Sequence, residues 1–325
     1  MRSLNTVILF VSLASLALAQ SLSGPVQSFM FDAPSRSLRA VDGFPGSASF
    51  GPALLSDVQF GSVAPNKNYA IIFKEGHCLF VTGLGSAHVS TAPLPGVFGH
   101  PEGTVWSSDG SLAILYSTSG NWMQTLAGLP GSPHANAYLN LSVLAGSLAA
   151  VSSDADGKQI AIAMQGPKGG VYLNTSKQEF IPLAKISNPI AISFSENGLN
   201  LYVLDRTALE LTAITISNWD SQVLPLAGLS DPFAILAGSN SARQPVLFVA
   251  SGRDRLVGVY NLASQKMEAT LHLDFQPTGI QNFGPNSLVI GLRSRAASPL
   301  WLFSTAPKPA VYFVPAAHAA TQGVE

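Results

Sequence analysis

Residues 231–273 read DPFAILAGSNSARQPVLFVASGRDRLVGVYNLASQKMEATLHL. Four short segments stand out in this stretch: Phe233–Leu236, Val246–Ala250, Leu256–Tyr260 and Met267–Leu273. Polar turns rich in Ser, Asn, Asp and Gly separate them, and none has the ten or more residues that a globular helix needs. The second segment is a nearly continuous apolar run, as expected of a strand covered on both faces. The fourth, Glu268-Ala269-Thr270-Leu271-His272-Leu273, alternates, as expected of a strand with one face in water. The stretch is therefore predicted to form one four-stranded antiparallel sheet, with strands a to d running from the inside to the rim.

The same layout recurs along the chain. A polar turn precedes an apolar strand at Asn66, Asp109, Asp156, Asn197, Asn240 and Asn286, at intervals of 43, 47, 41, 43 and 46 residues. Asn, Asp and Gly tolerate the positive φ angles of tight hairpins, so these marks join paired strands a and b. A period in the low forties is that of a propeller blade. The expected fold class is all-β: a single β-propeller of four-stranded blades, with six full repeats plus an N-terminal hairpin, and so six or seven blades.

Within the repeat, Asp231-Pro232-Phe233-Ala234, Leu247-Phe248-Val249-Ala250, Val257-Gly258-Val259-Tyr260-Asn261 and Gln276-Pro277-Thr278-Gly279-Ile280 form a proline-led restart and two characteristic strands. This pattern resembles the YVTN-type repeat of lactonase-like propellers, and Pro189-Ile190-Ala191 fits the same restart. The resemblance implies an architecture and no particular chemistry, since such repeats serve many roles. At the N-terminus, Val26–Phe31 and Arg36–Val41 flank Asp32-Ala33-Pro34-Ser35 and parallel the c–d hairpin of the 231–273 repeat. The last repeat holds its own c–d pair in Leu300–Phe303 and Ala310–Val314.

Residues 1–19 read as a secretory signal: Arg2, an apolar run Val7–Ala17, and Ala17-Leu18-Ala19 before Gln20. The run is too short for a typical membrane span of about 20 residues. The predicted organisation is a signal peptide over 1–19, a propeller over 24–315 and a flexible tail over 316–325, in a secreted or periplasmic protein without a membrane span after cleavage. Lys and Arg total 17 against 18 Asp and Glu, and charged residues are only 11% of the chain. No basic run interleaves with aromatics, which argues against nucleic acid. Cys78 is the sole cysteine, so no intrachain disulfide forms, and it sits in an apolar strand as a small hydrophobe.

Chemistry-bearing motifs are sparse. The six histidines, His77, His88, His100, His134, His272 and His318, show no metal-ligand spacing. Asp154-Ala155-Asp156-Gly157 resembles half of a calcium loop but occupies the a–b turn seen in the other repeats. No nucleophile elbow or phosphate loop occurs. The expected inner strands carry no ionisable side chain, although Asp57 and Glu102 flank two of them. No catalytic residue, metal site or cofactor is predicted.

The b–c loops share one face of a propeller, and they hold Lys74, Lys168, Arg206, Arg253, Arg255, Arg293 and Arg295, with Glu75, Asp205 and Asp254. Asp205 and Arg206 can pair locally. The site expected from this asymmetry is Arg206, Arg253, Asp254, Arg255, Arg293 and Arg295, binding a protein, peptide or glycan, anionic in character, because Arg suits bidentate carboxylate contacts. The expected function is that of a non-catalytic binding propeller. The alternatives are a lactonase-like or quinoprotein-like propeller enzyme and a periplasmic scaffold subunit.

Overall fold

The computed structural model describes residues 25–65, 68–175, 179–284 and 286–316. The expected signal segment, most of the tail with His318, and the first register mark, Asn66, lie outside the described residues. The first sheet has three strands, β1 (Val26–Asp32), β2 (Ser37–Asp42) and β3 (Ser49–Leu55). The second has four, β4 (Phe60–Val63), β5 (Tyr69–Lys74), β6 (His77–Thr82) and β7 (Ser90–Pro93). The third contains β8 (Gly103–Trp106), β9 (Ala113–Ser117), β10 (Trp122–Ala127) and β11 (His134–Asn140). The fourth contains β12 (Ser147–Ser153), β13 (Ile160–Gln165), β14 (Gly170–Asn174) and β15 (Phe180–Ala184). The fifth contains β16 (Pro189–Phe194), β17 (Asn200–Asp205), β18 (Glu210–Thr215) and β19 (Ser221–Leu224). The sixth contains β20 (Pro232–Ser239), β21 (Pro245–Ser251), β22 (Leu256–Asn261) and β23 (Lys266–His272). The seventh contains β24 (Gln281–Gly284), β25 (Ser287–Gly291), β26 (Leu300–Ser304) and β27 (Ala310–Val314). All neighbouring strands pair antiparallel, and the chain is a seven-bladed β-propeller.

The apolar b strands explain the ring. β5, β13 and β21 are buried over almost their whole length because each blade is covered on both faces by its neighbours. The core is accordingly a series of clusters at the seams between blades. One joins Ala161, Ala163, Val171 and Leu173 of blade 4 to Ile192, Phe194, Leu201 and Val203 of blade 5. The described register marks, Asp109, Asp156, Asn197, Asn240 and Asn286, lie in a–b turns, as the spacing predicts. Asp109 Oδ1 accepts from Ser107 Oγ at 2.7 Å and from the Ser111 amide at 2.9 Å. Asn197 Oδ1 repeats both contacts, with Ser195 Oγ at 2.7 Å and the Leu199 amide at 3.1 Å. In the calcium-like stretch, Asp154 Oδ1 accepts from the Gln159 amide at 3.1 Å, so this carboxylate closes a hairpin.

The N-terminal hairpin is where the structure corrects the sequence reading. It belongs to a further blade, with β3 as its outer strand, and its two strands are b and c rather than c and d. The strand order β1-β2-β3 decides this, because β2 carries a further strand on its outer edge, and two backbone bonds agree with it. In blades 5, 6 and 7 the amide just after strand c donates to the carbonyl at the start of strand b: Ile216 to Leu199, Leu262 to Pro245 and Thr305 to Asn286, at 2.9–3.3 Å. The same bond runs from Gly43 to Pro25 at 2.9 Å. Past strand d, the Leu141 and Leu273 amides donate to Asn121 and Arg255 in their b–c turns, and the Val58 amide donates likewise to Arg36. Blade 1 thus consists of b, c and d, and among the described residues it has no inner strand a. β3 escapes a periodicity reading because Gly51-Pro52 interrupts it and its pairing with β2 shifts register twice.

Candidate functional site: the b–c loop face

Antiparallel order places the b–c loops and the d–a connections on one face, and the a–b and c–d turns on the other. On the first face three acids, Glu102, Asp205 and Asp254, hold loops together, while Asp57, Glu75 and Asp274 are exposed. Glu102, in the connection from blade 2 to blade 3, accepts from the b–c loop of blade 3. Its partners are Ser117 Oγ at 3.0 Å, Thr118 Oγ1 at 2.5 Å, the Thr118 amide at 2.9 Å and Ser119 Oγ. The hydroxyls of Ser119 and Thr118 hold its carboxyl down to about 2. Asp205 accepts from the amides of Thr207 at 2.7 Å and Ala208 at 3.0 Å, closing its own loop. Asp254 accepts from Ser230 Oγ and Ser251 Oγ, each at 2.5 Å, and from the Ser230 amide at 2.7 Å. Burial pushes the Asp254 carboxyl up, but the Ser230 and Ser251 hydrogen bonds outweigh it and bring it to about 2.

The arginines divide into three situations. Arg206 does not pair with adjacent Asp205. Its Nη2 lies 3.5 Å from Asp231 Oδ1, so it bridges the b–c loop of blade 5 to the connection entering blade 6. Arg253, Arg255 and Arg295 are exposed on the loops of blades 6 and 7, and among the described residues their side chains make no ion pair. Arg293 departs from the expectation of an exposed loop charge. Its side chain is 3% exposed, and Nη1 donates to Asp32 Oδ2 at 2.7 Å. Nε donates to the Ser298 carbonyl at 2.8 Å, Nη2 donates to the Ala296 carbonyl, and the guanidinium lies 4.9 Å from the centre of the Phe50 ring. A group bound on every side like this cannot reach a partner in solution. It holds blade 7 against blade 1, because hydrogen bonds and a counter-charge are what permit a buried charge at all.

Asp32, Glu102 and Asp231 escaped selection as site residues. Asp32 and Asp205 both close strand b, and that shared position is the signal that could have paired them as loop-holding acids.

The channel wall is built differently. The inner strands β4, β8, β12, β16, β20 and β24 contain no ionisable residue. Serines join one blade to the next there: Trp106 Nε1 donates to Ser62 Oγ at 2.8 Å, the Phe194 amide to Ser152 Oγ at 3.1 Å, and the Ala237 amide to Ser193 Oγ at 2.9 Å. Cys78 is buried, and burial pushes its thiol up to about 12, which keeps it protonated and poorly nucleophilic at neutral pH. Among the described residues no three His, Cys, Asp or Glu side chains converge as metal ligands. Two shallow surface hollows of about 430 and 590 Å³ lie against blades 4 and 2, and neither is lined by the candidate arginines.

No protein-family model matches the chain, and no curated protein matches it in sequence. Solved structures do. A chain from the crystal structure of a nidogen/laminin complex superposes with a TM-score of 0.52 at 13% identity, over 77% of this chain and 95% of that one. A chain of Kuenenia stuttgartiensis hydrazine synthase superposes with a TM-score of 0.54 at 14% identity, over 75% of each chain. At these identities the likeness is one of fold, and it agrees with the propeller architecture.

Proposed function

We propose that this chain is an exported, non-catalytic propeller that binds an anionic protein, peptide or glycan through its b–c loop face, with Arg253, Arg255 and Arg295 as the contacting cations and Arg206 beside them. One observation carries the reading. Four carboxylates of this face, Glu102, Asp205, Asp231 and Asp254, are occupied by loop hydrogen bonds or by Arg206, whereas three exposed arginines of blades 6 and 7 make no ion pair among the described residues. Adjacent blades carry these guanidinium groups on the same side of the ring, where they can act on one partner. Arg293 is left out of the contacting set, and Asp254 becomes a scaffold that shapes the Arg253–Arg255 loop. The likeness to a propeller solved in a nidogen/laminin complex supports a binding module on this scaffold. The signal-like residues 1–19 support export.

The test is retention on a sulfated-polysaccharide column and on an immobilised poly-glutamate peptide, comparing the parent with an Arg253→Ala/Arg255→Ala/Arg295→Ala variant. The variant is expected to elute from at least one support at clearly lower salt, with an unchanged melting temperature. Identical elution of both proteins from both supports would remove the b–c loop face as the site.

A further inference from the structure

The b–c loop face carries aromatic side chains as well as arginines. Phe275 lies in the connection from blade 6 to blade 7, Trp301 is the second residue of β26, and Phe313 of β27 pairs directly with Trp301. The Phe275 and Trp301 rings stack with centres 4.1 Å apart and 14° between planes, and the Phe313 ring follows 5.7 Å beyond Trp301. The row starts at the seam, where Phe275 and Trp301 pack on the buried cluster that holds Leu273 and Ile290. It ends at Phe313, which is 55% exposed. Gly291 makes the stack possible, since a Cβ there would sit 2.9 Å from both Phe275 Cε2 and Trp301 Cδ1.

Charged groups frame the row. The Arg255 carbonyl accepts from the Leu273 amide at 2.7 Å, which sets the b–c loop of blade 6 beside the segment that carries Phe275. Arg295 stands in the loop that leads into Trp301, and Asp274 precedes Phe275. All three are exposed, and among the described residues their side chains make no ion pair. Blade 3 repeats the row without the cations. Phe98 lies 4.1 Å from Tyr138 and 5.8 Å from Trp122, but the b–c loop of that blade, residues 118–121, holds no charged residue. Rings framed by two cations and one anion suit an acidic sugar better than an acidic peptide. A pyranose turns C–H bonds toward the negative face of an aromatic ring, and its hydroxyls donate to a carboxylate. A uronic acid adds a carboxylate for bidentate contact with arginine. An acidic peptide would meet Asp274 as a like charge, which disfavours it. We propose that the partner of the b–c loop face is a uronic-acid polysaccharide. It lays a sugar ring on the open Phe313 end of the row, donates hydroxyls to Asp274 and places carboxylates on Arg255 and Arg295. This inference rests on the loop-face reading above and narrows it to one class of glycan.

Dissociation constants of the full chain for alginate, a uronic-acid polymer, and for poly-glutamate, a peptide with the same charged group, test this. The parent is expected to bind alginate the more tightly. Phe313→Ala should weaken alginate binding at least about fivefold, the scale of one lost aromatic contact, and leave poly-glutamate binding unchanged. Asp274→Asn should weaken alginate binding but strengthen that of poly-glutamate, because it removes a charged hydroxyl acceptor and a like charge at once. Phe98→Ala, in the row without arginines, should change neither. Alginate should also shift the tryptophan emission of the parent and not that of Trp301→Phe, a signature that decides the matter if Phe313→Ala lowers the melting temperature. An effect of Phe313→Ala no larger than that of Phe98→Ala, or tighter binding of poly-glutamate than of alginate by the parent, would overturn the uronic-acid site. If Arg255→Ala/Arg295→Ala nevertheless weakens poly-glutamate binding, the loop face survives as a peptide site. An arginine variant that binds both polymers as tightly as the parent would instead remove the loop face itself.

Discussion

The seam between blades 4 and 5 and the seam between blades 7 and 1 solve the same packing problem with different means. At the first, apolar side chains of β13, β14, β16 and β17 meet, Ser152 ties the Phe194 amide across the seam, and residues 185–188 connect the blades covalently. At the second, Met30, Val41 and Ala48 meet Phe283, Val289, Leu300 and Leu302, and Ser28 Oγ donates across to the Phe283 carbonyl at 2.7 Å. Apolar burial and the serine bond are thus common to both. The closing seam lacks a connecting loop among the described residues and has instead the buried Arg293–Asp32 pair. Apolar contact is non-directional and tolerates sliding. A guanidinium fixed by a carboxylate, two carbonyls and a ring face tolerates one seating. Where the chain does not hold two blades in register, a directional contact does.

The largest effect that could break this comparison comes from Arg293→Ala. It leaves the Asp32 carboxylate buried without its nearest counter-charge, with only Arg39 at 3.8 Å remaining. Breaking a buried pair in this way typically costs about 3–5 kcal/mol. Chemical denaturation should register that loss, and an Asp32→Leu/Arg293→Met double variant should recover most of it. A cost for Arg293→Ala below about 1 kcal/mol, as for an exposed loop charge, would mean that the closing seam is held no differently from the others.

A smaller effect tests what the two seams share. Ser152→Ala removes the acceptor of the Phe194 amide, and Ser28→Ala removes a donor to the Phe283 carbonyl. Each should cost on the order of 1 kcal/mol, the usual net value of a hydrogen bond. Similar losses at the two sites, measured as denaturation midpoints at constant slope, would show that the serine contact does the same task at both seams.

Most of the fold was legible because it rests on local signals. The Asx-Gly turns, the apolar b strands and the alternating d strand of residues 231–273 all correspond to elements of the structure. Illegible features depended on contacts distant in sequence. Nothing around Arg293 distinguishes it from Arg253, since what buries it is Asp32, 261 residues away. The strand identity of Val26–Asp32 was ambiguous for a related reason. An Asp-led four-residue turn closes b–c hairpins here, and an Asn-led one closes the c–d hairpin at Leu262–Gln265, so local sequence cannot tell them apart. The charged rim was visible as composition, but the hydroxyls that occupy its acids were not.

Acid sharpens the comparison from the loop side. The Glu102 and Asp254 carboxyls are lowered to about 2 in the folded chain, against ordinary values near 4. A lowered folded value means stability that is present above about pH 4 and is lost as the pH falls toward 2. Both groups hold loops of blades 3 and 6, away from the closing seam. A Glu102→Gln/Asp254→Asn variant should therefore show a flatter fall of melting temperature between pH 4 and 2 than the parent. An equal slope in the two proteins would place the acid sensitivity elsewhere.

The smallest effect concerns the turn that blade 1 shares with regular blades. The four-residue b–c turns of blades 1 and 5 end in Arg36 and Leu209, with φ of +48° and +54°. Side chains with a Cβ are strained in this left-handed region by about 1–2 kcal/mol, and glycine is not. Glycine in turn costs about 0.5–1 kcal/mol through the greater freedom it gives the unfolded chain. The two terms leave a net gain of up to about 1 kcal/mol for Leu209→Gly, whose side chain is exposed and gives up little packing. Arg36 is also exposed, its carbonyl accepts from the Val58 amide through backbone alone, and its side chain makes no ion pair among the described residues. Arg36→Gly should therefore shift the denaturation midpoint in the same direction and by a similar amount. Matched shifts would mean that blade 1 is an ordinary blade from strand b outward and differs only at its inner edge. A clear destabilisation by Arg36→Gly, with Leu209→Gly neutral or better, would show that the N-terminal turn is held by contacts its counterparts lack, and the b–c assignment of that hairpin would have to be given up.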